Sequence, residues 1–278
     1  SFPTRRSSDL ERFMLLEIDN ITVEYDGHPV VTDFSLHMDE GEVVSLVGES
    51  GSGKTTVIRA VLGLLPSTGK VTKGDIIFNG ESLIGKTEKD FLSIRGRDMT
   101  MIFQDSGSML NPVRKIGGQF TEYIRQHEKM SKADARKRAI EMLEMVRLPD
   151  ADNIMNSYPF QLSGGMRQRV GIAMALVFEP KLLLADEPTS ALDVTIQAQI
   201  VREMMELQQR ERTSIIMVTH NLGVATYMSD KIVVMQHGAI VEEGSRDDII
   251  YHPRNEYTKS LISAIPTMEG DPYVEYDD

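Results

Sequence analysis

Short apolar runs separated by glycine-rich or polar turns recur along the chain after residue 13. The runs "ITVEY" and "GEVVSLVG" are typical of strands, and a glycine-rich turn follows the second. A helical pattern then covers about 54–65 and stops at Pro66. Further strands are predicted at "DIIFNG", "DMTMIF", "KLLLAD", "SIIMVTH" and "KIVVMQHG", and "HGAIVEEG" is typical of a terminal hairpin.

Two helical patterns separate the later strands of this series. One is "VTIQAQIVREMMELQQRER", and the other is "NLGVATYMS". Strands that are joined by crossover helices pair in parallel, so the order of elements predicts an α/β fold whose sheet is mostly parallel.

The stretch over about 105–174 has a different character. It is rich in Met, Lys, Arg and Glu, and it contains no convincing strand. Ser131 is predicted to open a helix with Asp134 as its capping partner. One face of that helix is apolar, with Ala135, Ala139, Leu143 and Val146. We interpret the stretch as a helical subdomain inserted into the α/β domain.

Both ends of the chain are predicted to lie outside the folded domain, and residues 1–13 show no period of 2 or 3.6. Residues 1–13 have no export-type apolar core and resemble a translated sequencing adapter before a natural start at Met14, with a native disordered tail as the alternative. Residues 267–278 are acidic and contain a proline, which favours disorder. We therefore expect one domain over 14–266, between a non-native or disordered leader and an acidic disordered tail.

Composition limits the possible functions. The 278 residues carry a formal charge of −12, which opposes sequence-independent binding of nucleic acid and adhesion to anionic lipid. The sequence contains no Cys, which excludes disulfides, thiolate metal sites and cysteine nucleophiles. The longest apolar runs are strand-length, whereas a membrane-spanning helix takes about 20 residues. We therefore expect a chain that is soluble by itself and that another protein holds at any membrane.

The run "GESGSGKT" carries the strongest chemical signal, because it fits G-x-x-x-x-G-K-[ST] between a predicted strand and a predicted helix. Glycines let backbone N–H groups face a phosphate chain; Lys54 is predicted to reach the β and γ phosphates and Thr55 to bind Mg²⁺. A dinucleotide fingerprint is the alternative, but Lys54 followed by Thr55 favours a nucleoside triphosphate. The predicted nucleotide-binding residues of this loop are Gly48, Glu49, Ser50, Gly51, Ser52, Gly53, Lys54, Thr55 and Thr56.

Two adjacent carboxylates end the apolar run "LLLADE". Adjacent residues of a strand face opposite sides, so the two acids are predicted to differ in role. We assign Asp186 to Mg²⁺, held through water, and Glu187 to the attacking water as general base. A strand that ends in Asp-Glu usually leads only into a solvated loop, and its combination with the phosphate loop is what favours chemistry.

Three single residues at strand ends are weaker candidates. The amide of Gln104 is predicted to reach Mg²⁺ or the lytic water, and His220 to contact a γ-phosphate. Tyr25 is predicted to stack on adenine. Each residue type at a strand end is more often structural, and the other histidines show no metal-ligand spacing.

A second phosphate-type turn lies in "LSGGMRQR", where Ser163, Gly164 and Gly165 precede a predicted helix. One nucleotide has only one phosphate chain, so this turn needs another target.

In this order the motifs resemble the ATP-binding subunit of ATP-binding-cassette (ABC) transporters. "GESGSGKT" is similar to the Walker A loop, "LLLADE" to Walker B, Gln104 to the Q-loop, "SALD" at 190–193 to the D-loop, His220 to the switch histidine and "LSGGMRQR" to the family signature. The resemblance runs over about 14–266. It implies a P-loop NTPase core, an N-terminal antiparallel β part, an inserted α-helical subdomain, and Asp193 among the nucleotide-binding residues.

Other runs resemble the peptide and nickel uptake branch of that family, namely "VGESGSGKT", "SYPFQLSGGMRQRVGIAMAL", "LNPV" and "HPRNEYTKSLISAIP". Two departures stand out. "DSGSMLNP" follows Gln104 where many relatives have a proline two positions after the Gln, so the shape of this loop stays open. Some relatives continue into a cysteine cluster; the lack of Cys here argues against an iron–sulfur role, and a truncated end stays open.

The resemblance implies a mechanism and partners. ATP and Mg²⁺ are the cofactors, and the signature of one subunit covers the γ-phosphate of ATP held by a second subunit packed head to tail. The implied partners are two membrane permease subunits, a second ABC ATPase subunit of like or unlike sequence and, indirectly, an extracytoplasmic solute-binding protein, without nucleic acid. The expected location is peripheral, on the cytoplasmic face of the cell membrane.

The expected function is ATP-driven uptake of di- or oligopeptides, with nickel or another small solute as the alternative. A soluble cassette ATPase of translation or DNA metabolism is less favoured, because such chains usually carry two cassettes or a long coiled coil. A nucleotide switch without turnover is disfavoured because Glu187 and His220 are both present. Since the second turn needs a partner's phosphates, the isolated chain is expected to be a poor ATPase.

Overall fold

A computed structural model describes residues 14–104, 107, 109–189 and 194–264 of the chain. The strands are β1 (Met14–Tyr25), β2 (His28–Asp39), β3 (Val43–Val47), β4 (Gly69–Phe78), β5 (Glu81–Ser82), β6 (Met99–Ile102), β7 (Leu182–Asp186), β8 (Ser214–Thr219), β9 (Lys231–Gln236) and β10 (Ala239–Ser245). The helices are α1 (Lys54–Val61), α2 (Glu88–Ile94), α3 (Ile116–His127), α4 (Lys132–Met145), α5 (Ala151–Asn156), α6 (Gly164–Leu176), α7 (Val194–Glu211), α8 (Leu222–Met228), α9 (Arg246–Tyr251) and α10 (Glu256–Ser263). A 3₁₀ turn at Pro159–Gln161 precedes α6.

The larger sheet has six strands in the order β10-β9-β3-β8-β7-β6. Neighbours from β9 to β6 pair in parallel, whereas β10 pairs with β9 in the antiparallel sense. Every residue of β3, β7 and β8 is buried, as expected for parallel strands that are covered on both faces. The predicted α/β class and the terminal hairpin are confirmed.

The smaller sheet is antiparallel, with four strands in the order β2-β1-β4-β5, and it confirms the expected N-terminal antiparallel part. β2 was not predicted, although this strand alternates buried and exposed residues and follows the turn Asp26-Gly27. Both turn residues have positive φ, 51° and 79°, as a type I′ hairpin requires. Asp-Gly between two alternating runs was therefore the overlooked signal.

Among the described residues between β6 and β7 there are four α-helices, α3 to α6, which form the helical part of the fold. The predicted cap of α4 is present, because Ser131 Oγ accepts the Asp134 N–H at 3.1 Å and donates to Asp134 Oδ2 at 2.6 Å. The predicted apolar face is buried, with Ala135, Ala139, Leu143 and Val146 at most 3% exposed. These side chains share one core with residues of β7 and β8. The predicted leader and tail, 1–13 and 267–278, lie outside the described residues.

The helix that follows the phosphate loop is shorter than predicted, since α1 ends at Val61 and not near residue 65. Gly63 takes a left-handed φ of 61°. Its N–H donates to Ala60 O at 3.0 Å, and the Leu64 N–H donates to Arg59 O at 2.8 Å. This pair of bonds is a Schellman motif, which ends the helix before Pro66 is reached.

Replacing Gly63 by Ala is predicted to lower the free energy of unfolding by about 2–4 kcal/mol, from left-handed strain plus overpacking. An added Cβ would lie 2.5 Å from the Phe91 ring, and Phe91 is buried. Gly80→Ala is the matched control, because Gly80 has a φ of 80° with no atom within 4 Å of the added Cβ. Gly80→Ala should lower the free energy of unfolding by only about 1 kcal/mol. Urea unfolding measures both, and equal losses would contradict the packing argument.

Candidate functional site

Four strands of the parallel sheet lead into the predicted site residues. β3 runs into the loop 48–53, β6 into Gln104, β7 into Glu187 and β8 into His220. β3 pairs with β8, β8 with β7, and β7 with β6. The carboxyl ends of parallel strands lie at one edge of the sheet, so these segments, which are far apart in sequence, meet there.

Lys54 is the buried cation of the loop, with 6% of the residue exposed. Its Nζ donates to Gly48 O at 2.8 Å, to Glu49 O at 2.7 Å and to Ser52 Oγ at 3.1 Å. Burial lowers the pKa of Lys54 from its ordinary value, while the carboxylates of Glu187, Asp186 and Glu49 act in the opposite direction. Uncharged acceptors thus hold a buried charge in the place where a phosphate would pair with it.

The backbone of the loop approaches its surroundings closely. A Cβ on Gly48 would lie 2.2 Å from Met235 O, so only glycine fits between β3 and β9 at this point. Gly53 is the N-cap of α1 and makes no side-chain cap hydrogen bond. The first turn of α1 therefore offers its N–H groups and the positive end of the helix dipole to an anion beside Lys54.

Thr55 and Asp186 lie side by side, with Thr55 Oγ1 donating to Asp186 Oδ1 at 3.1 Å. Burial raises the pKa of Asp186, and the hydrogen bond from Thr55 opposes that rise. A hydroxyl and a carboxylate are oxygen ligands of the kind that Mg²⁺ takes in small number beside water and phosphate. Within the described part of the chain no cluster of three or more His, Cys, Asp or Glu could hold a metal.

Glu187 brings together the predicted catalytic residues. Gln104 Nε2 donates to Glu187 Oε2 at 3.1 Å, and His220 Nδ1 lies 2.9 Å from Glu187 Oε1. Glu187 lies just beyond β7 with a left-handed φ of 46°, and its N–H donates to Val218 O at 2.9 Å. Asp186 and Glu187 point differently because the backbone turns at Glu187, and not because both belong to one strand, as the sequence analysis assumed. Such a conformation costs a residue other than Gly on the order of 1–3 kcal/mol and is typical of functional sites.

Two of the predicted nucleotide-binding residues, Tyr25 and Asp193, are not placed in contact with the other site residues by the described structure. Tyr25 is half-buried at the end of β1 and faces Gly69 of β4, where an added Cβ would lie 2.6 Å from its ring. This packing accounts for the Tyr25 ring, and its contact with adenine stays a prediction. Asp193, with the rest of "SALD", lies outside the described residues.

The second phosphate-type turn caps α6. Ser163 is the N-cap, and its Oγ accepts the Met166 N–H at 3.2 Å. Ser163 and Gly164 are exposed, Gly165 is half-buried, and a Cβ on Gly164 would meet no atom within 4 Å. The turn therefore presents a serine hydroxyl and a helix N-terminus to the surface of its own chain.

Two supporting residues escaped the sequence analysis. Gln168 is 4% exposed on α6, and its Nε2 donates to Pro188 O at 2.6 Å, which ties the second turn to the backbone after Glu187. Asn221 follows His220 and caps α8, because its Oδ1 accepts the Gly223 N–H at 3.0 Å. The signal for Asn221 was an N-cap residue type before a helical pattern. A polar residue on a buried helix face gives no such local signal.

Helices long and apolar enough to cross a bilayer are absent from the described part of the chain.

Comparison with known proteins finds a matching family, similar sequences and similar solved structures. The family described as ABC transporter matches residues 31–190. The oligopeptide transport ATP-binding protein OppD of Bacillus subtilis (strain 168) is 46% identical over 92% of this chain and 73% of its own length. The dipeptide transport ATP-binding protein DppD of Lactococcus lactis subsp. cremoris (strain MG1363) is 43% identical over 92% of this chain and 75% of its own. A dimeric post-hydrolysis structure of the ATP-binding cassette MJ0796, bound to ADP and Pi, aligns with a TM-score of 0.75 at 29% identity, covering 84% of this chain and 99% of that one.

Lys54→Ala is predicted to weaken binding of a nucleoside triphosphate by about 100-fold, because each lost charge-assisted hydrogen bond is worth about 1.5–3 kcal/mol. Lys129→Ala, which removes an exposed lysine of the helical part, is the control and should leave affinity unchanged. Equilibrium binding of a fluorescent ATP analogue measures both. Equal affinity of the Lys54 variant and the wild type would contradict the assignment of Lys54 as a phosphate-binding residue.

Proposed function

This chain belongs to the ABC transporter family and is an ATPase of that family, and we propose that it powers the uptake of di- or oligopeptides across the cell membrane. One observation carries the chemistry: the Glu187 carboxylate is held between His220 and Gln104, at the edge of the sheet that also carries Lys54 and Thr55. The similarity to oligopeptide and dipeptide transport proteins over 92% of the chain supports peptides as the transported solute.

In the proposed reaction Lys54 and the first turn of α1 bind the phosphates. Thr55, Asp186 and Gln104 would hold Mg²⁺, which neutralises charge on the phosphate oxygens when it is bound. Glu187 orients the attacking water and accepts its proton, and His220 keeps the carboxylate in place from the side of β8. The burial of Lys54 and Asp186 strengthens the electrostatic contacts of these two residues relative to water.

The second turn points to a site shared between two cassettes. Ser163 and Gly164 are exposed, so they are accessible to a phosphate held by another subunit. In our proposal the N-terminus of α6 in one subunit covers the γ-phosphate bound at Lys54 of a second ABC ATPase subunit of like or unlike sequence. The dimeric state of the MJ0796 cassette supports such an arrangement.

An apolar groove marks the surface that we assign to a membrane permease subunit. The cavity, of about 310 Å³, lies between the end of α1, β6, α3 and α6. Its lining includes Leu64, Met101, Phe103, Met109, Tyr123 and Met174. Leu64 and Met109 are 39% and 62% exposed. Since Phe103 adjoins Gln104, a permease segment in this groove would lie next to the residue that contacts Glu187. In our proposal the ATPase is therefore peripheral, on the cytoplasmic face of the membrane.

Transport by the reconstituted complex tests the proposal. The chain is copurified with the permease subunits that bind it and placed in vesicles, with a solute-binding protein and radiolabelled di- and oligopeptides. We expect ATP-dependent peptide uptake in the wild type and none with Glu187→Gln, because the general base contributes about 10²–10⁴-fold to the rate. Uptake of Ni²⁺ in place of peptide would contradict the assignment of peptides as the transported solute. ATP turnover by Glu187→Gln at the wild-type rate would contradict the assignment of Glu187 as general base.

A further inference from the structure

The helix α10 reaches back to the phosphate loop from the far end of the described chain. Its residue Tyr257 accepts the N–H of Glu49 on its hydroxyl oxygen at 2.9 Å. The two residues are 208 positions apart, and Tyr257 lies outside the 31–190 segment that the family match covers. The contact therefore adds a group from outside the matched segment to the nucleotide loop.

The Glu49 N–H belongs to the same peptide unit as the Gly48 carbonyl. That carbonyl accepts from Lys54 Nζ at 2.8 Å. In a planar trans peptide the N–H and C=O point in opposite directions, so Tyr257 and Lys54 hold this unit from opposite sides. Rotation of the peptide would break both hydrogen bonds at once. The orientation of the Gly48 carbonyl, which is one of the three acceptors of the Lys54 ammonium, thus depends on Tyr257.

The position of α10 is itself secured by hydrogen bonds at its N-terminus. The Glu242 carboxylate on β10 accepts the N–H of Arg254 at 2.7 Å and the N–H of Asn255 at 3.1 Å. Asn255 is the N-cap of α10, and its side chain accepts the Tyr257 N–H at 2.8 Å. These bonds fix the first turn of the helix, where Tyr257 lies.

Apolar side chains of α10 pack against the residues that precede the phosphate loop and follow His220. A small core contains Val47, the last residue of β3, and Leu222, the first residue of α8. Tyr257, Leu261 and Ile262 pack against this core. A cavity of about 300 Å³ remains between Leu261, Gly48 and His220. The helix is therefore held against both the phosphate loop and the segment after His220.

We propose that Tyr257 is a positioning residue for ATP binding, which acts by fixing the Gly48–Glu49 peptide and thereby Lys54. The inference rests on the proposed ATPase site, because Lys54 is the group through which Tyr257 acts. Tyr257 holds the loop in the form that accepts phosphates, so its loss weakens nucleotide affinity. The rate of hydrolysis at saturating ATP changes little, because Tyr257 bonds to the backbone of Glu49, whereas Gln104 and His220 are the residues that hold the Glu187 carboxylate.

Tyr257→Phe, which removes one oxygen atom, tests the proposal in the full-length chain. Tyr251→Phe is the matched control, since Tyr251 is 72% exposed on α9. We expect Tyr257→Phe to weaken ATP binding by roughly threefold to tenfold, as the loss of one hydrogen bond predicts. We expect the KM for ATP of the assembled complex to rise by the same factor, with less than about twofold change in kcat. The control should match the wild type in both.

A second readout separates positioning from stability. Loss of the bond should shift the ¹⁵N–¹H resonance of Glu49 and speed its hydrogen exchange, while the melting temperature stays equal to that of Tyr251→Phe. Glu242→Gln weakens the hydrogen bonds that hold the N-terminus of α10 and does not alter the phosphate loop. This variant should also lower the affinity for ATP, as Tyr257→Phe does.

Two results have distinct meanings. If wild type binds ATP and Tyr257→Phe binds it equally well, or loses affinity only in step with its melting temperature, the positioning role is overturned. If the wild type itself fails to bind ATP, the nucleotide site fails, and the role of Tyr257 fails with it.

Discussion

The buried ammonium of Lys54 is the constraint around which the site is built. A charge with 6% exposure needs acceptors within reach, and the loop supplies two carbonyls and a hydroxyl. These acceptors carry no net charge, so the site stays attractive to a phosphate chain. The carboxylates of Asp186 and Glu187 lie near enough to favour the charged form of Lys54. The phosphate loop, the proposed metal ligands and the proposed general base are therefore one electrostatic unit.

Parallel pairing of the strands puts the members of this unit in one place. β3, β8, β7 and β6 deliver Lys54, His220, Glu187 and Gln104 to the same edge of the sheet. Fine placement then depends on local departures from regular structure. Glu187 adopts a left-handed conformation that turns its carboxylate toward Gln104 and His220. Tyr257 holds the peptide whose carbonyl fixes Lys54.

Local sequence predicted the parts of the site that a short motif defines. Lys54 and Thr55 follow from residue types at fixed spacing, and the α/β class follows from the order of strands and crossover helices. The early end of α1 could have been read from Gly63, since a glycine near a helix end is a stop signal that competes with the later proline. The contact of Tyr257 with Glu49 spans the chain, so no local pattern encodes it. The spacing of residue types along the chain also does not reveal the backbone turn at Glu187. This turn is stabilised by the neighbouring strand β8, where Val218 O accepts the Glu187 N–H.

In the proposed mechanism ATP is hydrolysed between two cassettes, since the turn at Ser163 is exposed and remote in sequence from the loop it would complete. Light scattering of the Glu187→Gln chain, alone and with a paired ABC ATPase subunit, tests it most directly with and without Mg²⁺ and ATP. We expect an ATP-dependent species of two cassettes, because the variant binds ATP without hydrolysing it. A mass of one chain, 31.2 kDa, in every mixture would contradict it.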